Sequence, residues 1–354
     1  MTTKLKTGLT LGKFAPLHKG HQFLIETALR EVDTLYVVIY DSPQVTAIPL
    51  SVRAKWIRDL YPRVKVIEAW DGPADEGYTP RVKQIQEAYV QHKLGDVKID
   101  AFYSSEMYGE HMSTSLGAVN RVVDLKREAV PVSGTKVRLS PYESRAFVPP
   151  IVAKDLVTHV LLLGAPSTGK TTLCTQLARR FETVWTPEYG REYWEKHQVD
   201  RRLTPEQMVE IATGHLERED LQLAQANRYL FTDTNALTTY LFAKYYHGFA
   251  LPALEKLATD CFARYDLVFV CNDDIPYDNT WDRSGEVNRS VFQKQLLAEL
   301  AVRKIPYVLI SGTLEQRVAH VAKVLGMQAK YEPLLKNTAF WQPVQSMSEM
   351  SKTP

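Results

Sequence analysis

Apolar residues fall in two alternating rhythms along this chain: short unbroken runs, and longer stretches where they recur every three or four positions among charged neighbours. The first rhythm belongs to strands buried on both faces, the second to amphipathic helices. Their alternation predicts an α/β protein built on parallel sheets, because connections long enough to hold a helix suit parallel neighbours. Strands are expected over 8–12, 35–40, 64–69, 101–104 and 119–124, with helices such as 20–31 and 51–61 between them.

After 141–151, which carries three prolines and no clear period, the pattern starts afresh. It reads as strand 159–163, helix 170–181, a helical stretch 205–227, strands 229–233 and 267–271, helix 287–301, strand 307–311 and helix 314–325. The expected organisation is two doubly wound domains, 1–150 and 151–326, then a tail over 327–354 with little periodicity.

Composition narrows this picture without naming a partner. Lys and Arg number 43 against 41 Asp and Glu, so a net charge of +2 selects no polyanion. No apolar run reaches the ~18 to 20 residues of a membrane span, and the first residues lead into a strand rather than a signal sequence, which points to the cytosol. Cys174, Cys261 and Cys271 are too scattered for a disulfide framework and read as buried thiols. With no HExxH string or His/Cys cluster, any metal is expected to arrive with a nucleotide.

The chemistry concentrates at two loops. Directly after the first strand, Gly12, Lys13, Phe14 and the string through His18 and His21 open into a helix. Gly12 lets a phosphate approach the backbone, the free amides of the new helix point at it, and the two imidazoles lie one turn apart. They can donate to oxygens that become more negative in a transition state. After the unit's last strand, Ser133 and Thr135 can cap a helix and hold phosphate oxygens, and Arg138 offers a planar fork. Arg53 fits either a site position or a solvated helix face, and Trp70 with Asp71 either frames a flat cationic base or ends a strand.

In the second unit, Gly164 to Thr171 matches GxxxxGK[ST] between a strand and a helix, the context a P-loop needs. Backbone amides from Gly164 through Ser167, Thr168 and Gly169 to Thr172 would cradle phosphates, Lys170 would reach the β- and γ-phosphates, and the Thr171 hydroxyl would ligate Mg²⁺. Asp233 ends an apolar strand where the second metal carboxylate is needed, and could also serve the cap of the next helix. Glu188 is positioned to orient or deprotonate an acceptor hydroxyl, with Tyr189 and Arg191 around the substrate. Arg283 and Arg289 flank a polar segment placed like the lid of small P-loop kinases.

GKFAPLHKGH and VSGTKVR together resemble the HxGH and SxTxxR signatures of nucleotidyltransferases. With the SSE at Ser104, GAPSTGKT, PEYGRE and TDTNALTT added, about residues 8–325 resemble the bifunctional NadR-type family, an adenylyltransferase fused to a ribosylnicotinamide kinase. The resemblance implies phosphorylation of ribosylnicotinamide to its mononucleotide, then adenylation to NAD, with ATP and Mg²⁺. On that basis His18 and His21 would stabilise the α-phosphate while Lys13 and Arg138 neutralise departing pyrophosphate. Gly134 departs from the Ala or Ser common in the motif. Some members begin with a helix-turn-helix domain; here the first strand starts almost at once, so no DNA partner is expected, nor membrane insertion, and oligomeric state is left open. The alternatives are a phosphopantetheine adenylyltransferase fused to dephospho-coenzyme A kinase, and a nucleotide sensor with one inactive site.

Overall fold

Two five-stranded parallel sheets carry the chain, and each has its first strand at the centre. A computed structural model describes residues 5–73, 77, 79–199, 203–276, 286–328 and 330–331. Its contacts divide it into two compact units between Leu156 and Val157.

The first unit runs β1 (Leu5–Gly12), α1 (Lys19–Glu31), β2 (Val32–Tyr40), α2 (Leu50–Leu60), β3 (Lys65–Ala69), α3 (Pro80–Leu94), β4 (Ala101–Ser104), α4 (Gly109–Leu116), β5 (Val119–Val122), α5 (Gly134–Leu139) and α6 (Pro150–Leu156). The sheet order is β3-β2-β1-β4-β5, so the chain reverses direction across the sheet between β1 and β4. Ligands of open α/β sheets bind at such a reversal, beyond the carboxyl ends of the strands. Leu9, Val38 and Phe102 pack into the core on one face of the sheet, and Leu35, Val37, Ile39 and Tyr103 into the core on the other. β1 is thereby clamped from both sides beneath the loop that follows it.

The second unit runs β6 (Thr158–Leu163), α7 (Lys170–Arg180), β7 (Trp185–Thr186), α8 (Tyr189–His197), α9 (Pro205–Leu223), β8 (Tyr229–Asp233), α10 (Ala236–His247), α11 (Pro252–Asp260), β9 (Leu267–Cys271), α12 (Glu286–Val302), β10 (Val308–Ile310) and α13 (Leu314–Met327). Its order is β10-β9-β6-β8-β7. β6 is buried along its whole length between β8 and β9, in register Leu162 to Asp233 and Leu163 to Val270. The loop after β6 therefore emerges between the ends of two neighbours.

Most expected elements form, with shifted ends. The strand expected to reach residue 124 stops at Val122, because Asp124 turns the chain with φ +50 and its carboxylate accepts from the amides of Ala129 and Val130 at 3.1 and 3.0 Å. The helix expected to 227 ends at Leu223. Of the expected tail, 329 and 332–354 lie outside the described residues. No described helix is long and apolar enough to cross a membrane.

Candidate active sites

In the first unit, His18 is the N-cap of α1 and His21 its third residue, and each side chain caps the other's backbone. The His21 amide donates to His18 Nδ1 at 3.4 Å and the His18 amide to His21 Nδ1 at 3.3 Å. A backbone N–H can only donate, so both Nδ1 atoms are acceptors and a neutral ring carries its proton on Nε2. The rings stack with centroids 3.7 Å apart, and Phe14 packs against His21 at 4.8 Å. Burial, then Arg127 and Arg138, lower the His18 pKa to about 4; burial and His18 push His21 well below its ordinary value. Two neutral imidazoles are thus fixed as Nε2 donors at the start of a helix with no acid in its first turn.

Arg138 reaches back to the same loop, donating to the Ala15 carbonyl at 2.7 Å and to Thr135 Oγ1 at 3.1 Å. Ser133 caps α5, accepting from the Lys136 amide at 3.1 Å. A Cβ added at Gly134 would stand 3.1 Å from Arg138 Nη1 and 3.9 Å from His18 Nε2, so glycine here leaves both groups room. The structure therefore brings Gly12, Lys13, Phe14, His18, His21 and Arg138 to one loop cluster. Arg127, which sequence reasoning missed, joins through its field on both histidines.

Arg53 is a correction to the solvated-face alternative. It is fully buried on α2 and donates to the carbonyls of Lys13, of Tyr40 at 2.9 Å and of Ile48 at 2.9 Å, with Asp41 at 3.4 Å. It braces the phosphate loop from behind. Trp70 is exposed past the end of β3, the edge strand, and its indole donates to Glu68 at 3.1 Å. Asp71 is held down to about 2 by hydrogen bonds from Lys93 and Tyr89, so much of its charge already has a partner.

In the second unit the P-loop is held open by its own side chains. Thr168 Oγ1 and Lys170 Nζ both donate to the Ala165 carbonyl, at 2.8 and 2.9 Å. Gly164 has φ +147, and a Cβ there would sit 2.8 Å from the Cys271 carbonyl, so the sharp exit from β6 requires glycine. Gln293 on α12 accepts from the Ala165 amide at 2.8 Å and donates to the Cys271 carbonyl at 3.1 Å. Arg317 on α13 repeats the role of Arg53: it donates to the P-loop carbonyl of Thr168 at 2.7 Å, to Gly312 and Asn272 carbonyls at 2.9 and 3.2 Å, and to Asp274.

Where the sequence led us to expect a metal, Thr171 Oγ1 donates to Asp233 Oδ2 at 2.5 Å, while the buried Asp233 Oδ1 has no hydrogen-bond partner. Burial, helped by the charge of Glu188 and opposed by Lys170, raises the Asp233 pKa to about 6. An orphaned carboxylate oxygen beside a hydroxyl is a donor set that fits a divalent cation. A cavity of about 460 Å³ opens from there, lined at one part by Lys170, Thr171 and Thr172, and elsewhere by Glu188, Arg191 and Trp194.

Two expectations change here. Tyr189 does not line this cavity: its ring packs on Gly214 and carries the Arg218 guanidinium 3.9 Å from its centroid, facing a separate groove. Arg289, expected in a lid, is buried and donates to the carbonyls of Ser167, Asp273 and Ile275, another brace behind the loop. Arg283 lies outside the described residues. Sequence reasoning singled out the string that holds Thr238 without giving that residue a role, and it missed Phe242, Tyr245 and Tyr246, which wall the cavity on the same helix.

Residues 9–139 match the cytidylyltransferase-like family model and 159–317 the AAA domain model. The trifunctional NAD biosynthesis/regulator protein NadR of Salmonella typhimurium is 30% identical over 350 residues, which span 91% of this chain and 84% of that protein. The chain belongs to the NadR family. The Escherichia coli NadR is 29% identical over 331 residues, 87% of this chain and 79% of the relative. A probable nicotinate-nucleotide adenylyltransferase of Nitratiruptor matches at 27% over 174 residues, 43% of this chain and 97% of its own length. A crystal structure of a NadR protein in complex with NAD and AMP-PNP shares the fold, with TM-score 0.56 and 24% identity over 92% of this chain and 98% of that one. As a NadR-family member the chain is an enzyme of NAD biosynthesis with a nucleotidyltransferase unit and a P-loop kinase unit.

Proposed function

We propose that the second unit phosphorylates ribosylnicotinamide with ATP and that the first unit adenylates the resulting mononucleotide to NAD. The observation that carries this reading is the pair of phosphate loops, each opening a helix at the carboxyl end of its own sheet's central strand. In the kinase step the acceptor's primary hydroxyl oxygen bonds the γ-phosphorus, the bond to the β–γ bridging oxygen breaks, and ADP leaves. Lys170 holds the β- and γ-phosphate oxygens and Glu188 takes or orients the hydroxyl proton. Thr171 and Asp233 would hold Mg²⁺, which when bound neutralises phosphate charge.

In the adenylyl step a mononucleotide phosphate oxygen bonds the α-phosphorus and pyrophosphate departs. His18 and His21 donate from Nε2 to the α-phosphate oxygens, where negative charge builds. Lys13 and Arg138 neutralise the leaving group, and Ser133 and Thr135 hold its neighbours. No covalent intermediate is needed, because in-line transfer asks for positioning and charge. Arg191 and the pair Trp70 and Asp71 are assigned to the two substrates. Incubation with ribosylnicotinamide, ATP and Mg²⁺ should yield, by mass, the mononucleotide and then NAD, ADP and pyrophosphate. Turnover of coenzyme A precursors instead, or of one site only, would reject it.

A further inference from the structure

On the α9 side of the second sheet lies a buried polar cluster that neither reaction step uses. Glu219 on α9 is fully buried and accepts from the Tyr265 hydroxyl at 2.5 Å and from Arg264 Nε at 3.0 Å. Its Oε1 stands 3.8 Å from the Nε2 of two further buried side chains, His159 on β6 and His215 on α9.

Each imidazole turns its Nε2 to a neighbour of Asp233. His159 Nε2 is 2.9 Å from Thr232 Oγ1, and His215 Nε2 is 3.2 Å from the Thr234 carbonyl oxygen. A carbonyl oxygen only accepts, so His215 carries a proton on Nε2 and donates it there. Thr234 has φ +67, a left-handed value that is a genuine outlier for a β-branched residue. Such a backbone persists only where its surroundings hold it. Here the amide of Thr234 donates to the Leu162 carbonyl at 3.0 Å, and His215 holds its carbonyl.

Side chains alternate along a strand, so this grip comes from the face opposite Asp233. Thr232 lies in register with Leu161, which packs with Ile211 and Ala212 of α9. Asp233 lies in register with Leu162, which packs with Leu173 and Leu177 of α7, the helix that also carries Thr171.

We propose that His215 is a positioning residue for phosphoryl transfer in the second unit: backed by Glu219, it fixes the Thr234 carbonyl and with it the direction of the Asp233 carboxylate. The assignment deepens, and rests on, the reading of Asp233 as a Mg²⁺ ligand of a kinase. Groups that orient a metal ligand from behind typically change metal affinity or rate by about 10- to 100-fold.

Calorimetry of ADP binding, with EDTA and with Mg²⁺, tests this on wild type, His215→Leu and His215→Gln. Mg²⁺ should tighten ADP binding to wild type. Leucine fills the space without a donor, so it should shrink that gain about tenfold. Its metal-free ADP affinity, which reports that the P-loop is folded, should not change. Glutamine, whose amide nitrogen can donate from a similar reach, should restore most of the loss. In phosphorylation of ribosylnicotinamide, leucine should lower kcat about tenfold with KM unchanged, and should cost nothing further when added to Asp233→Asn. An equal fall in metal-free and Mg²⁺-supported affinity, a glutamine variant as poor as leucine, or additive losses in the double variant would overturn the proposal. A wild type that gains nothing from Mg²⁺ would remove the role of Asp233 and this assignment with it. If wild type shows the gain yet leaves ribosylnicotinamide unphosphorylated, the acceptor reading alone fails, and the calorimetry still decides for or against His215.

Discussion

His18 and His21 are set as donors by backbone geometry alone, each Nδ1 being occupied by the other's amide. His21→Ala should therefore cut NAD formation from the mononucleotide by on the order of 10² to 10³, with phosphorylation of ribosylnicotinamide near wild type. Paired rate assays on the one variant check both halves. The His18 pKa, at about 4 against an ordinary 6.5, sets a pH window. Between those values the unfolded chain holds a proton the folded one does not, so its contribution to stability is full above the ordinary value and is lost as pH falls toward about 4. Denaturant melts across that window should show stability rising with pH, and His18→Gln should flatten the slope. The motif residues were legible because each string fixes residue type and spacing together. Arg127 was not, because an arginine in a turn carries no signal until the fold places it.

At the scale of elements, the two braces share one construction. Arg53 and Arg317 each send Nε to the carbonyl five residues earlier, and their forks to a phosphate-loop carbonyl, a carbonyl beyond or at the end of a neighbouring strand, and an aspartate. Lysine carries a point charge and cannot span that set. Arg317→Lys should therefore lower kinase kcat/KM by about two orders of magnitude, from misplacement of the loop, while leaving adenylyl transfer intact; Arg53→Lys should do the converse. Measuring both activities in both variants tests the assignment, and an equal fall in the two would reject it. The alternation of strand and helix was readable because apolar period is local. The braces had only a faint trace: an arginine within an apolar stripe, Arg317 among Leu314, Val318 and Val321, and Arg53 between Leu50 and Ala54. The two-residue β7 was too short for any period to show.

For the whole molecule, each unit has its own loop and, in the proposed sequence of steps, its own ATP. Lys170→Ala should abolish mononucleotide formation and His21→Ala should let mononucleotide accumulate. An equimolar mixture of the two variants should then recover NAD synthesis from ribosylnicotinamide, because a released intermediate can pass between molecules; a mixture that stays inactive would argue for retention within one chain. The recurrence of the arginine brace in both units has a consequence for what the loops accept. Every peptide that offers an amide to an anion also owns a carbonyl oxygen, whose lone pairs would repel a phosphate if turned toward it. Arg53 and Arg317 claim such oxygens from the rear, at Lys13 and Thr168. Each guanidinium thus occupies a loop carbonyl whose lone pairs would otherwise be open to a metal ion or water, so a cation can favour an anion at the loop without lying among the amides.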